Sequence, residues 1–465
     1  MNQAARGDLT TGGILSKILK VAAPVMGTQL IQMAYNIANM FWLGHLGDAN
    51  RSSEAIAASG TAGLYIWLGM GVMLLSSVGA GIGVSQALGR REEDEAQSYA
   101  GNALQLSAAL GLLFAALLVL MRRPLVAFFA YENQSIVRLT ERYLLIIACG
   151  QPMAFVSNAI TSVFNAAGKA RTPFVINASG LALNALLDPL MIYVWGLGVP
   201  GVALATVIAQ TAVLAALSFA LLRGSGRPLA RVTLPVRPNA SVLARIVRWS
   251  AMPCLESVCF TLLALPVSRL VVTFGEKAMS VNRIGSQVES LTWLVGGGFG
   301  TAFTAYVGQN CGAQKWDRIE RGVALSSLAM GLYGLAVTAL LHFRGAFLCS
   351  LLLPDAALEP MFASYMRVLA LCQLPQCLEV VAAGAFKGSG RTIRPSAVSI
   401  ATNLLRVPAA YLLAATSLGL TGVWVAISAT AGLRGAISYG WYLAVDRRRR
   451  MGEAAPSCAP AAADG

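Results

Sequence analysis

A chain of 465 residues that is 56% hydrophobic and only 12% charged carries about half the charge of an ordinary soluble domain. Several soluble cores could not be covered by so little polar surface, and disordered, collagen-like and disulfide-scaffold classes are excluded with them. The net charge of +14 does not point to nucleic acid, because the basic residues lie at the edges of apolar runs rather than on one face.

In chain order, the first 13 residues are polar, and the apolar run from Val21 is too long for a signal-peptide core. It reads as an uncleaved first span. Apolar, nearly charge-free stretches long enough to cross a bilayer as helices then recur over 21–44, 55–89, 97–121, 143–168, 172–195, 199–222, 247–274, 283–310, 322–343, 361–386, 395–417 and 419–444. Twelve transmembrane helices are predicted, since barrel strands would be half as long and alternate in polarity. The N-terminus, every second loop and the C-terminus hold 22 of the 35 Lys and Arg residues, while the alternate loops hold 9. The excess marks the cytoplasmic side, so both termini are expected there. Arg447-Arg448-Arg449-Arg450 fits that side, and the small-residue tail of 444–465 reads as disordered.

The second half of the chain repeats the first. Ile14 to Lys20 with Pro24 returns as Val242 to Arg248 with Pro253, and Val84-Ser85-Gln86 with Gly89 returns as Val307-Gly308-Gln309 with Gly312. Phe164, Gly168 and Pro173 return as Phe386, Gly390 and Pro395, and Gly198 with Gly201 as Gly419 with Gly422. The predicted domains are therefore a six-helix bundle over 14–222, a basic linker over 223–241 and a second six-helix bundle over 242–443. Six spans per half make the halves parallel repeats, expected to enclose a central cleft.

Polar residues inside these spans are the candidate functional groups. Gln29, Gln32, Asn36 and Asn39 recur every three or four residues and form a stripe on span 1. Asn177, Asn184 and Asp188 share a sector of span 5, with Asn158, Thr161 and Asn165 on span 4 and Thr206 on span 6. Amides and hydroxyls can serve simply as inter-helix hydrogen bonds. Carboxylates are a stronger signal, because mid-membrane charge costs ~3 kcal/mol unless it is paired, hydrated or protonated. Asp188, Glu256, Glu289 and Glu379 are those carboxylates, with Arg406 and Arg434 as available partners in a static network. Asp188 precedes Pro189 and Glu256 follows Pro253, where proline loosens a helix and frees carbonyls.

Other chemistries find no support. The eight cysteines form no CxxC pair, so neither a zinc site nor a disulfide framework follows, and His45 and His342 are the only histidines. No GxxxxGK[ST] loop for ATP and no HExxH motif is present. Gly79 to Gly83 and Gly296 to Gly300 fall inside apolar spans and read as close helix packing.

Tyr35 to Gly44, Asn184 to Pro189 with Gly198, Gly201 and Ala205-Thr206, Gly285 to Leu291, Val307-Gly308-Gln309, and Gly384 to Gly390 together resemble the multidrug and toxic compound extrusion family, in particular its bacterial DinF-like branch. The resemblance runs from about residue 14 to 443. It implies a secondary antiporter, not an enzyme, that exports small organic, cationic or amphipathic compounds against inward H+ or Na+ by alternating access. No cofactor beyond the coupling ion is implied, and no metal beyond Na+ at Asp188. The family's ion site carries over to Asp188, Asn184 and Thr206, with Asn39 where most relatives have aspartate and Thr161 where some have asparagine. Lys169 and Arg391 also replace a usual acid. Either Asp188 then works alone or Glu256 in the second bundle takes over. Gln29, Gln32, Asn36, Gln287, Glu289 and Glu379 are the expected cleft residues. The protein is expected as a monomer in the lipid of the plasma (inner) membrane, with neither nucleic acid nor ATP as partner. A lipid-linked precursor flippase is the alternative within transport, and a polytopic membrane enzyme the alternative outside it.

Overall fold

The computed structural model describes residues 7–44, 49–223, 227–229, 237–352 and 358–450. Among them twelve α-helices follow one another: α1 Ile14–Gly44, α2 Ala49–Arg90, α3 Glu93–Ala127, α4 Gln134–Ala166, α5 Arg171–Pro189, α6 Val199–Leu222, α7 Ala240–Val272, α8 Glu276–Gly312, α9 Trp316–Leu352, α10 Glu359–Gly388, α11 Ile393–Ala414 and α12 Leu420–Arg450. Each predicted span is found as a helix, and most helices outrun it. In lipid every backbone N–H and C=O must be bonded within the helix, so the helix ends only where water can take over. Thus α3 continues through Arg122 and Arg123, and α2 begins before Ser52 and Glu54. Eleven of the twelve are long and apolar enough to cross a membrane by themselves. The exception is α8, which carries Arg283, Gln287, Glu289 and Asn310 and packs on α9 and α10.

The chain divides into two compact units, Met1–Asp8 with Ala23–Cys254, and Leu9–Ala22 with Leu255–Gly465. The boundary does not lie in the 223–241 linker as the repeat suggests, because the first turns of α1 and α7 are each held by the other half of the chain. In the first unit the Gly79 N–H donates to Ser250 Oγ at 2.8 Å, the Asn239 N–H donates to Asn102 Oδ1 at 2.8 Å, and Ile246 is fully buried beside Tyr99. In the second unit Leu9 is buried and its N–H donates to Gln309 Oε1 at 2.9 Å. Asn310 Nδ2 donates back to the Leu9 carbonyl at 3.2 Å, and Arg318 donates to the Gly12 carbonyl at 2.8 Å.

The internal repeat is visible in backbone detail. Helices α2 and α8 both end on a non-glycine residue in the left-handed region, Arg91 at φ +64° and Gln314 at φ +55°. Both ends have the same pair of bonds: Arg91 to Leu88 and Glu92 to Ala87, Gln314 to Cys311 and Lys315 to Asn310. Such pairs satisfy the last carbonyls of a helix. The ends of α4 and α10 repeat the pattern through Gly168 and Gly390. Cys311, at the end of α8, is disulfide-bonded, which the cysteine spacing did not reveal.

The glycine runs serve packing. A Cβ at Gly79 would meet the Ile246 backbone and one at Gly83 the Tyr99 ring, while Gly296 and Gly300 lie against Val380. Gly79→Leu is therefore expected to destabilise the first unit by about 1–3 kcal/mol through overpacking. Gly60→Leu, on the same helix with nothing near its Cβ, should leave stability unchanged. Thermal unfolding of the two purified variants in detergent checks the contrast.

Candidate functional site

In the first unit α1 and α5 run side by side in the same direction. A Cβ at Gly27 would meet Phe174, Asn184 Nδ2 donates to the Tyr35 hydroxyl at 3.0 Å, and Tyr193 donates to the Trp42 carbonyl at 3.0 Å. Because 35 pairs with 184, one further turn on each helix brings Asn39 to the level of Asp188. Helix α6 closes the group: Asn184 Nδ2 also reaches Thr206 Oγ1 at 3.4 Å, and the Thr206 hydroxyl donates to the Val202 carbonyl. Tyr143 of α4, itself buried, interacts electrostatically with Asp188, as does Tyr35.

Asp188 is fully buried, and the Tyr35 hydroxyl is a donor beside its carboxylate, whose oxygens otherwise make no hydrogen bond among the described residues. The side-chain carbonyls of Asn184 and Asn39 are buried and unpartnered. Buried acceptors short of donors are unusual, since buried polar atoms are nearly always satisfied. An oxygen-only set of this kind suits a proton or a hard monovalent cation and offers nothing to a thiophilic metal. Pro189 removes the N–H that would cap the Ala185 carbonyl. The chain resumes as a single π-helical turn over Leu190–Val194, closed by the Trp195 N–H on the Leu190 carbonyl at 3.0 Å. Such turns are frequent at functional positions.

Not every expected residue joins this group. Thr161 accepts from Asn177 Nδ2 at 3.5 Å, and Asn177 precedes Asp188 by three helical turns, about 16 Å along α5. Thr161 therefore cannot share a ligand with Asp188. Gln32 is exposed and Gln29 half-buried, so the face that α1 turns toward α5 is that of Gly27, Tyr35 and Trp42 rather than the whole amide stripe. The Asn36 side chain lies outside the described residues. Tyr35 and Tyr143 were missed, because an aromatic hydroxyl in an apolar span looks like packing. Tyr35 had one signal, its i, i+4 spacing to Asn39.

The second unit holds the other carboxylates. Arg434 Nε donates to Glu379 Oε2 at 2.8 Å, and its guanidinium lies 5.5 Å from the Trp293 ring centre. Trp293 Nε1 donates to Glu289 Oε1 at 3.3 Å. Arg406 Nε donates to Thr430 Oγ1 at 3.0 Å, and Ser396 Oγ donates to Glu256 Oε2 at 2.7 Å. Gln287 is exposed and stands apart from this network.

Comparison with known proteins agrees with the architecture. The sequence profile of the MatE family matches residues 24–190 and 251–412. The chain is 24% identical to the probable multidrug resistance protein NorM of Thermotoga maritima over 92% of both chains. It is 22% identical to the multidrug export protein MepA of Staphylococcus aureus over 88% of this chain and 89% of that one. Among solved structures it is similar to a MATE crystal structure in a bent conformation, with TM-score 0.89 and 21% identity over 97% of this chain and 99% of the other. A transporter of the MOP superfamily from Pyrococcus furiosus, described as having a binding pocket of reversed polarity, gives TM-score 0.85 and 21% identity over 97% and 98%. At these identities the structures show the shared fold.

Proposed function

We propose, on the premise that this chain belongs to the MatE family of membrane transporters, that it exports organic, cationic or amphipathic compounds in exchange for H+ or Na+. The observation that carries the reading is Asp188, a fully buried carboxylate with no cation bonded to it among the described residues, beside the Tyr35 hydroxyl and one turn from Asn184. A carboxylate in that setting is costly unless a proton or cation joins it. Its state can therefore be exchanged with the ion gradient, while substrate competes for the same or a coupled charge. Tyr35 and Thr206 hold the Asn184 amide group by its nitrogen and so aim its oxygen away from them.

In this reading the two repeat units alternate access in the plasma membrane, with both termini cytoplasmic as the Lys and Arg distribution implies. Asn39 cannot titrate, so Asp188 supplies the charge of the first unit. Glu256 is held by Ser396 and Glu289 by Trp293, whereas Glu379 is bonded to Arg434. The names of the relatives, multidrug resistance and multidrug export proteins, support the same substrate range. A lipid-linked precursor flippase would need free arginines, whereas Arg434 is engaged with Glu379 and Arg406 with Thr430. Expression in an efflux-deficient bacterial host tests the proposal. Cells with the protein should accumulate several-fold less of a fluorescent organic cation such as ethidium than cells with empty vector, and equal accumulation would count against it.

A further inference from the structure

The second unit holds more buried charge than the first, yet it lacks a counterpart of Asp188. Phe164 and Phe386, Gly168 and Gly390, and Pro173 and Pro395 are all separated by 222 residues. That offset lays α5 on α11, placing Arg406 at the position of Asn184 and Ala410 at that of Asp188. The contacts are alike in kind, although the two threonines are 224 residues apart rather than 222. Asn184 donates to a threonine hydroxyl on the following helix, Thr206 of α6, and Arg406 donates to one on its own following helix, Thr430 of α12. Where the first unit presents an amide and an acid, the second presents a guanidinium and a methyl group.

The acids of the second unit come from other helices, Glu256 from α7, Glu289 from α8 and Glu379 from α10. Arg434 of α12 is 5% exposed and bonded to Glu379, and its guanidinium lies 5.5 Å from the centre of the Trp293 ring whose N–H donates to Glu289. Arg434 and Arg406 both act electrostatically on Glu289, opposing the larger effect of its burial. Arginine keeps its charge at any working pH. A cation carried on the chain also has an effective concentration that no dissolved ion approaches.

We propose that in the second unit the place of the exchangeable cation is permanently filled by the chain's own guanidinium groups, Arg406 in register with the first unit's site and Arg434 on Glu379. This unit then takes up no coupling ion at Glu289 or Glu379. The inference rests on the reading of Asp188 as a coupling carboxylate, and the experiment separates the two. A membrane-permeant carbodiimide, N,N′-dicyclohexylcarbodiimide, modifies a buried carboxyl that carries a proton and spares one held ionised by a guanidinium.

The purified full chain is treated with the reagent and mapped by peptide mass spectrometry. Glu289 and Glu379 should be modified at least about tenfold less than Asp188, as expected when a nearby cation favours the charged form. Arg406→Asn, which installs the first unit's residue, should raise modification of Glu289 about tenfold or more, while Arg406→Lys keeps a cation and should not. Glu289 and Glu379 reacting as fast as Asp188 in the unaltered protein would overturn the proposal. So would a monodisperse Arg406→Asn protein with no rise at Glu289. If Arg406→Asn does not fold, the comparison within the unaltered chain decides alone. An unreactive Asp188 would count against the coupling reading, and would leave the contrast between Arg406→Asn and Arg406→Lys to judge the second unit by itself.

Discussion

Asp188→Asn is expected to abolish ion-driven export while leaving the folded protein intact. The two side chains are nearly the same size, so the site between α1, α5 and α6 keeps its packing. The amide cannot release a proton or attract a cation with net charge, so the exchange step loses the buried acid of the first unit. Stability should not fall, because removing a buried charge relieves a desolvation cost, while the amide oxygen can still accept from the Tyr35 hydroxyl. Thermal unfolding in detergent should give a Tm equal to or above that of the unaltered chain. Uptake of ethidium into inverted membrane vesicles should meanwhile drop to the level of vesicles without the protein. Retained gradient-dependent transport in a folded Asp188→Asn protein would remove Asp188 from the mechanism.

The second large effect belongs to the buried pair in the other unit. Arg434→Met should lower stability by about 3–5 kcal/mol, because it leaves the Glu379 carboxylate buried without its partner. Arg434→Met with Glu379→Leu should recover most of that loss, since replacing both members of a buried pair by apolar groups is often neutral or better. Methionine retains contact with the Trp293 ring that Arg434 covers. The contrast between single and double variants, read as Tm in the same detergent, is the measurement. A single variant as stable as the unaltered protein would mean that Glu379 has another counter-charge.

Much of the fold was legible because lipid makes the reading simple. An apolar run of sufficient length has one regular structure available to it, and Pro24, Pro253, Phe164 and Phe386 announced the repeat on sight. The helix ends were less legible, since Arg122 and Arg123 interrupt hydropathy without interrupting hydrogen bonding. The polarity of α8 was underestimated because Arg283 and Glu289 sit within an otherwise apolar stretch. For the site, a carboxylate in mid-membrane was enough to single out Asp188, and the Asn184 and Thr206 contacts followed the family pattern. Helical spacing fixed the angle of Thr161 but not its height, so it was grouped with a residue three turns away. Tyr35 and Tyr143 stayed hidden because only the three-dimensional packing of α1 and α4 distinguishes a hydroxyl near Asp188 from an interior aromatic.

Proteoliposomes holding the unaltered chain test ion-coupled export most directly. With ethidium at equal concentration on both sides and a Na+ or H+ gradient imposed across the membrane, the dye should move against its own rising gradient. It should flow back when an ionophore collapses the ion gradient. Dye movement of the same rate and extent with and without either gradient would contradict the account.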